Sequence, residues 1–188
     1  AGCAGVPAVL TAIEEGATVA CLQKQGSVAA NGFGSSAVCL EHSTSAGVMR
    51  WMEDWCATND DRVNRELFQH HLDHSCETLS WIIQQANKVG VEGITYKSTG
   101  TVVYPDGEVC ADIEMSTTGN TQMLDALAKY AEEQGAVFYY GTPAVQLIQE
   151  EDGTVTGVIG KKGDSYYKLN ATKGVILATG DYMNNDSL

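Results

Sequence analysis

Gly2 and Gly5 stand three residues apart at the head of an apolar helical repeat, and their spacing is the first in the chain that points to chemistry. In Ala1-Gly2-Cys3-Ala4-Gly5 they fill the second and third glycine positions of a G-x-G-x-x-G turn, the pattern that lays a dinucleotide diphosphate across a helix N-terminus. A glycine at position 2 lets the backbone approach the phosphates, and one at position 5 lets the helix pack closely on a sheet. Amide N–H groups and the positive end of the helix then stabilise the phosphate charge. The first glycine and its strand are expected just before Ala1. Further along, Gly16, Val19 and Gln23 keep the spacing G-x-x-V-x-x-x-E, with Gln23 where an acid would bind both ribose hydroxyls. An amide can accept through its oxygen or donate through its nitrogen, so such a contact survives without a charge. The plainer alternative is a glycine-rich turn ahead of an ordinary α/β helix.

Other residues with chemical potential carry less. His70 and His74 lie one helical turn apart, a spacing that can chelate zinc, with His71 and Asp73 between them. H-E-x-x-H chemistry would need Glu where His71 stands, so solvated or capping histidines are the expectation. Cys3, Cys21, Cys39, Cys56, Cys76 and Cys110 form no C-x-x-C or other close pair. They read as reduced thiols serving as small apolar side chains rather than as a zinc or dithiol motif. Trp51, Trp55 and Trp81 fall at core spacing, and Glu150-Glu151-Asp152 reads as a solvated turn.

The elements that must position these residues follow from periodicity. Val6, Val9, Leu10 and Ile13 recur at helical spacing opposite Glu14 and Glu15, and Gly16 ends the helix. Pro7 is tolerated in the first turn, where its missing N–H has no partner to lose. Residues 18–22 read as a short strand, and a loop of small residues runs over 26–37. Residues 45–89 read as helical with a break at Asn59-Asp60-Asp61. One stripe holds Val48, Trp51, Met52 and Trp55; another holds Leu67, His71, Leu72, Cys76, Leu79 and Ile83. Residues 90–119 are irregular, with a turn at Tyr104-Pro105-Asp106-Gly107. A helix over 121–134 turns Met123, Leu127, Tyr130 and Ala131 inward, and Gly135 closes it. Strands follow at 137–140, 144–149, 154–159 and 165–169, and 175–178 reads as a buried strand ending at Thr179-Gly180.

The chain has 188 residues with 44% hydrophobic and 19% charged, ordinary globular values. A chain of this size buries about 70% of its unfolded surface. Lys and Arg number 11 against 24 Asp and Glu, a net charge of -13. That balance disfavours nucleic acid and anionic membranes as partners, and no apolar run reaches the roughly 20 residues of a membrane-spanning helix. The charge does not forbid a local phosphate site.

Five segments in order make the pattern specific: AGCAGVPAVLTAIEEGATVACLQKQ, NGFGSS, TGNTQMLDALAKYAEEQGAVFYY, GTVTGVIG and GVILATGDYMNN. They resemble the FAD-binding part of the fumarate reductase/succinate dehydrogenase flavoprotein family, with 3-oxosteroid dehydrogenases and urocanate reductases as related members. The resemblance covers nearly the whole chain except 90–117. It implies an α/β fold: a three-layer, Rossmann-like FAD/NAD(P)-binding domain with a β-meander over 1–188, with the first strand and a capping domain outside it. It also implies FAD as cofactor, with Gly2, Ala4 and Gly5 at the diphosphate and Gln23 and Lys24 at the adenosine ribose. Asn31, Gly32, Ser35 and Ser36 would run beside the diphosphate and isoalloxazine. Ala144 would offer its backbone to adenine, and Ala178, Thr179 and Gly180 would lie near the flavin.

There are departures from the family pattern. Ala29-Ala30-Asn31-Gly32 replaces the usual G-G-N-S/T, and Asp181 replaces a glycine after A-T-G. His42 does not keep the spacing of covalent flavin attachment. VCADIEMST lacks the His/Arg pattern of typical fumarate reductases, which leaves a dicarboxylate substrate unsupported. The implied activity is hydride transfer between flavin N5 and an activated C=C or CH–CH bond of a small unsaturated substrate. No metal is expected, and no catalytic side chain is assigned within 1–188. An enone dehydrogenase and a dinucleotide-binding module without turnover are the alternatives.

Overall fold

The computed structural model describes residues 1–29, 36–91, 95–98, 100–116 and 119–180. In chain order the helices are α1 (Gly5–Glu14), α2 (Ser45–Thr58), α3 (Arg65–Lys88) and α4 (Asn120–Glu133). The strands are β1 (Ala20–Gln23), β2 (Ser36–Val38), β3 (Thr95–Ser98), β4 (Val102–Val103) and β5 (Val109–Cys110). They continue as β6 (Asp112–Ser116), β7 (Val137–Tyr140), β8 (Ala144–Gln149), β9 (Val155–Lys162) and β10 (Ser165–Asn170). The chain forms two compact units, Ala1–Phe33 with Gly119–Leu188, and Gly34–Thr118.

In the first unit β1 and β7 pair in parallel, with Ala20 opposite Val137 and Gln23 opposite Tyr140. Because side chains alternate along a strand, Leu22 and Tyr139 share one face of this pair. The antiparallel meander β8-β9-β10 covers that face. The Tyr139 ring lies 6.0 Å from the Tyr167 ring of β10. A Cβ on Gly160 of β9 would meet Leu22 Cδ2 at 3.2 Å and Thr142 Cγ2 at 2.8 Å. Tyr140 points to the other face, where α4 brings Asp125 and Glu132 near it; burial, then these carboxylates, push its phenol above the usual range. Helix α1 packs on α4, and Val6, Leu10, Met123, Leu124 and Leu127 form the buried apolar set. Helices, parallel pair and meander make the three layers expected.

Among the described residues, the four α-helices stop by the same device. Gly16 at φ +75° follows α1; its N–H donates to Ile13 O at 2.8 Å, and the N–H of Ala17 donates to Ala12 O at 2.9 Å. This pair of bonds satisfies carbonyls that the last turn leaves open, and it needs a left-handed residue. Gly135 at φ +99° and Gly90 at φ +69° do the same after α4 and α3. After α2 the position falls to Asp60 at φ +53°, followed by Asp61 at φ +55°.

Residues 175–178 depart from the expectation. They form no strand, and Ile176 and Leu177 are 69% and 65% exposed. Apolar composition favours a strand only where a neighbouring strand can complete the ladder, and among the described residues none pairs with this segment.

The second unit holds the sheet β2-β6-β3 and the ribbon β4-β5, all antiparallel. The described residues of 95–116 therefore form short strands, where the sequence reading expected irregular structure. The turn there is as expected, with the Gly107 N–H donating to Tyr104 O at 2.9 Å. Val38, Val48, Leu72 and Cys110 form the core, against which Trp51, Met52 and Phe68 pack. The Trp51 and Phe68 rings stack at 5.6 Å, whereas Trp55 is 47% exposed. On α3 the buried face runs through Leu72, Ser75, Leu79, Ile82, Ile83 and Ala86, while Leu67 and His71 lie outside it. A buried serine broke the apolar pattern. Its Oγ accepts the Val38 N–H at 3.1 Å, which makes its burial affordable.

Candidate functional site

The glycine turn occupies the head of α1. Ala4 is the N-cap, no side chain caps the helix, and no acidic residue lies in its first turn. An uncapped N-terminus presents amide N–H groups and the positive end of the helix dipole, which favour an anion. Two backbone contacts tighten the turn: Val6 N–H donates to Gly2 O at 3.0 Å, and Ala29 N–H donates to Ala1 O at 3.1 Å. The second brings Ala29 so close that a Cβ on Gly2 would sit 3.0 Å from its carbonyl oxygen. Gly5 is buried, and a Cβ on it would lie 3.6 Å from the Cβ of Ala178. Cys3, between the two glycines, has its thiol pushed up by burial, with a hydrogen bond to its own backbone opposing this, which is not the setting of a reactive thiolate.

Gln23 ends β1 and is 9% exposed. Its Oε1 accepts from the Ala1 nitrogen at 2.7 Å, and its Nε2 donates to Ser27 O at 2.8 Å. Both amide atoms thus tie the end of β1 to the glycine turn and to the loop after Lys24. Each keeps capacity for one more bond, since the oxygen has a second lone pair and the nitrogen a second hydrogen. Lys24 is exposed. The turn after β7 closes over this strand end, with Gly141 N–H on Gln25 O and Thr142 N–H on Gln23 O, both at 2.8 Å. Thr142 is fully buried, and its hydroxyl donates to Tyr140 O at 3.1 Å.

Ala144 begins β8 two residues later and is exposed. It pairs with Gly160, while Gln146 pairs with Ile159, so Val145 is an extra residue that breaks the ladder. The backbone beside Ala144 is irregular as a result. Ala178 is half-buried, Thr179 and Gly180 are exposed, and Gly180 sits at φ +76°.

One unit therefore gathers Gly2, Ala4, Gly5 and Ala178 at the head of α1, and joins Gln23 and Lys24 to Ala144 through the 141–143 turn. Ser36 opens β2 in the other unit; Asn31, Gly32 and Ser35 lie outside the described residues. Thr142 escaped the sequence reading, and Ala29 entered it only as a departure from the family loop. The signal for Thr142 was the Gly-Thr-Pro after a strand; the contacts of Ala29 had none, because they use only its backbone N–H and carbonyl. Among the described residues, no group of three or more His, Cys, Asp or Glu could hold a metal, and no helix is long and apolar enough to cross a membrane.

An uncapped helix mouth with backbone packed against Gly2 fits a diphosphate and leaves no room for a side chain there. Vinyl phenol reductase of Lactiplantibacillus plantarum is 28% identical over 199 residues, covering 100% of this chain and 38% of that protein. The open conformation of a flavocytochrome c3 fumarate reductase superposes with a TM-score of 0.66 at 24% identity, over 93% of this chain and 31% of that one. The 3-ketosteroid-delta4-(5alpha)-dehydrogenase of Rhodococcus jostii RHA1 gives a TM-score of 0.57 at 16% identity, over 99% and 45%. The chain spans less than half the length of each of these relatives. The FAD binding domain family matches residues 1–187, and the chain belongs to it, with FAD as its cofactor.

Proposed function

We propose that this chain is the flavin-holding part of an oxidoreductase acting on a small unsaturated substrate. The observation that carries the reading is the uncapped mouth of α1, where Gly2 and Gly5 keep side chains away from the N-terminal amides. Gly2, Ala4 and Gly5 hold the diphosphate there by backbone hydrogen bonds and helix dipole. Gln23 uses its remaining bonding capacity on the adenosine ribose, with Lys24 beside it. Ala144, at the broken ladder, offers backbone groups to adenine. The family resemblance assigns Asn31, Gly32, Ser35 and Ser36 to the diphosphate and isoalloxazine, and Ala178, Thr179 and Gly180 to the flavin. When bound, FAD supplies hydride transfer at N5 to or from an activated C=C or CH–CH bond.

The 28% identity to vinyl phenol reductase across the whole chain favours reduction of an activated C=C bond over steroid dehydrogenation. Purified full-length protein should carry a flavin absorption band that a reductant bleaches and an unsaturated acid or phenol restores. Restoration by no unsaturated compound, or by steroid enones alone, would remove the reductase reading.

A further inference from the structure

His70 and His74 are exposed on α3, as the sequence reading expected, but they cap nothing. The N-cap is Asn64, whose side chain accepts the Leu67 N–H at 3.0 Å, and both histidines stand in the helix interior. Residues four apart on a helix lie one above the other, and here the two imidazole rings come together with centroids 4.4 Å apart and planes at 49°. Two ring nitrogens bound to one metal at about 2.1 Å stand roughly 3 Å from each other, a separation that rings this close can reach by small side-chain rotations. His74 Nδ1 is turned toward Glu77 Oε2, 4.0 Å away, so Nε2 is the nitrogen left for a metal. A carboxylate behind a ligating imidazole fixes its tautomer and raises its basicity. The neighbouring polar residues are engaged elsewhere: His71 lies against the Phe68 ring at 6.4 Å, and Asp73 accepts from Gln69 Nε2 at 2.8 Å. Glu66, one turn before His70, and the net charge of -13 add a negative field that favours a cation.

We propose that His70 and His74 chelate one divalent transition-metal ion through two ring nitrogens, with water in the remaining positions and Glu77 behind His74. Imidazole donors select nickel, copper or zinc over magnesium and calcium, which take oxygen ligands. Two protein ligands are fewer than a structural zinc centre uses, in keeping with the lack of any three-residue metal cluster among the described residues. The ion therefore binds reversibly at the surface of α3 and does not hold the fold together.

The test titrates Ni²⁺ into the full protein, with calorimetry reading stoichiometry and affinity and proton NMR following the histidine ring signals. The expected result is paramagnetic broadening of the His70 and His74 rings ahead of those of His42 and His71, with one equivalent of Ni²⁺ per chain at this site. His70→Asn and His74→Asn should each weaken that equivalent at least about tenfold, because the second nitrogen of a chelate acts at high effective concentration. Glu77→Gln should weaken it by about tenfold, and His71→Asn should leave it unchanged. Circular dichroism reports whether each variant is folded, and the broadening pattern of the wild type decides the matter if one is not. Broadening of His71 ahead of the pair, no broadening of either ring at millimolar Ni²⁺, or full binding retained by both His70→Asn and His74→Asn would overturn the proposal.

Discussion

A Cβ added to Gly5 would lie 3.6 Å from the Cβ of Ala178, so the segment holding Ala178 lies against the head of α1. That distance is ordinary contact for one added carbon but leaves nothing for a second. Gly5→Ala should therefore keep flavin, while the branched Gly5→Val should press on Ala178 and lose it. Flavin content per chain after purification in excess FAD checks this; equal occupancy in both variants would remove Gly5 from the site.

Gly2 is tighter still. Its Cβ would stand 3.0 Å from Ala29 O, and backbone cannot rotate away as a side chain does. Gly2→Ala should displace the 28–29 segment, weakening FAD binding at least tenfold while stability falls by about 1–3 kcal/mol. Flavin titration alongside urea unfolding separates the two effects.

Asp60 fills the left-handed position after α2 where the other three helices use glycine. A side chain there costs about 1–2 kcal/mol, and the extra freedom of an unfolded glycine returns roughly half of it. Asp60→Gly should stabilise the protein by about 0.5–1 kcal/mol, seen as a higher thermal midpoint.

Gly47 reverses that sign. Glycine inside a helix ordinarily gains about 1 kcal/mol when changed to alanine. Here the added Cβ would run into the backbone of Val109. Thr44 clamps the same contact, its Oγ1 accepting from Val109 N–H at 3.0 Å and from Gly47 N–H at 3.1 Å. Gly47→Ala should cost about 1–3 kcal/mol, because overpacking against a pinned strand outweighs helix propensity. A midpoint at or above wild type would contradict the packing of α2 on β5.

Arg50 and Asp106 pair at 2.6 Å on the surface. The Arg50 hydrogen bond holds the Asp106 carboxyl below its ordinary range. A depressed folded value stabilises the fold above the unfolded value of about pH 3.9. That contribution disappears as pH falls through the lower folded value. An NMR titration should place Asp106 below a free aspartate, and Arg50→Gln should return it to the usual range.

Sequence patterns alone determined the helices and where they stop, because both depend on neighbours within a turn or two. The apolar repeat of Val6, Val9 and Leu10 and the stops at Gly16 and Gly135 are local properties. The glycine turn was legible for the same reason, and five ordered segments were enough to place the family. Strands were less legible, since a strand exists only with a partner. Residues 175–178 looked like one and are not, while β3 to β6 hid in a span with no clear alternation. Only the tertiary structure decided that Ser75 faces the core and that Ala178 meets Gly5. Each depends on a hydrogen bond or a close contact between distant residues, and spacing along the chain carries no record of that.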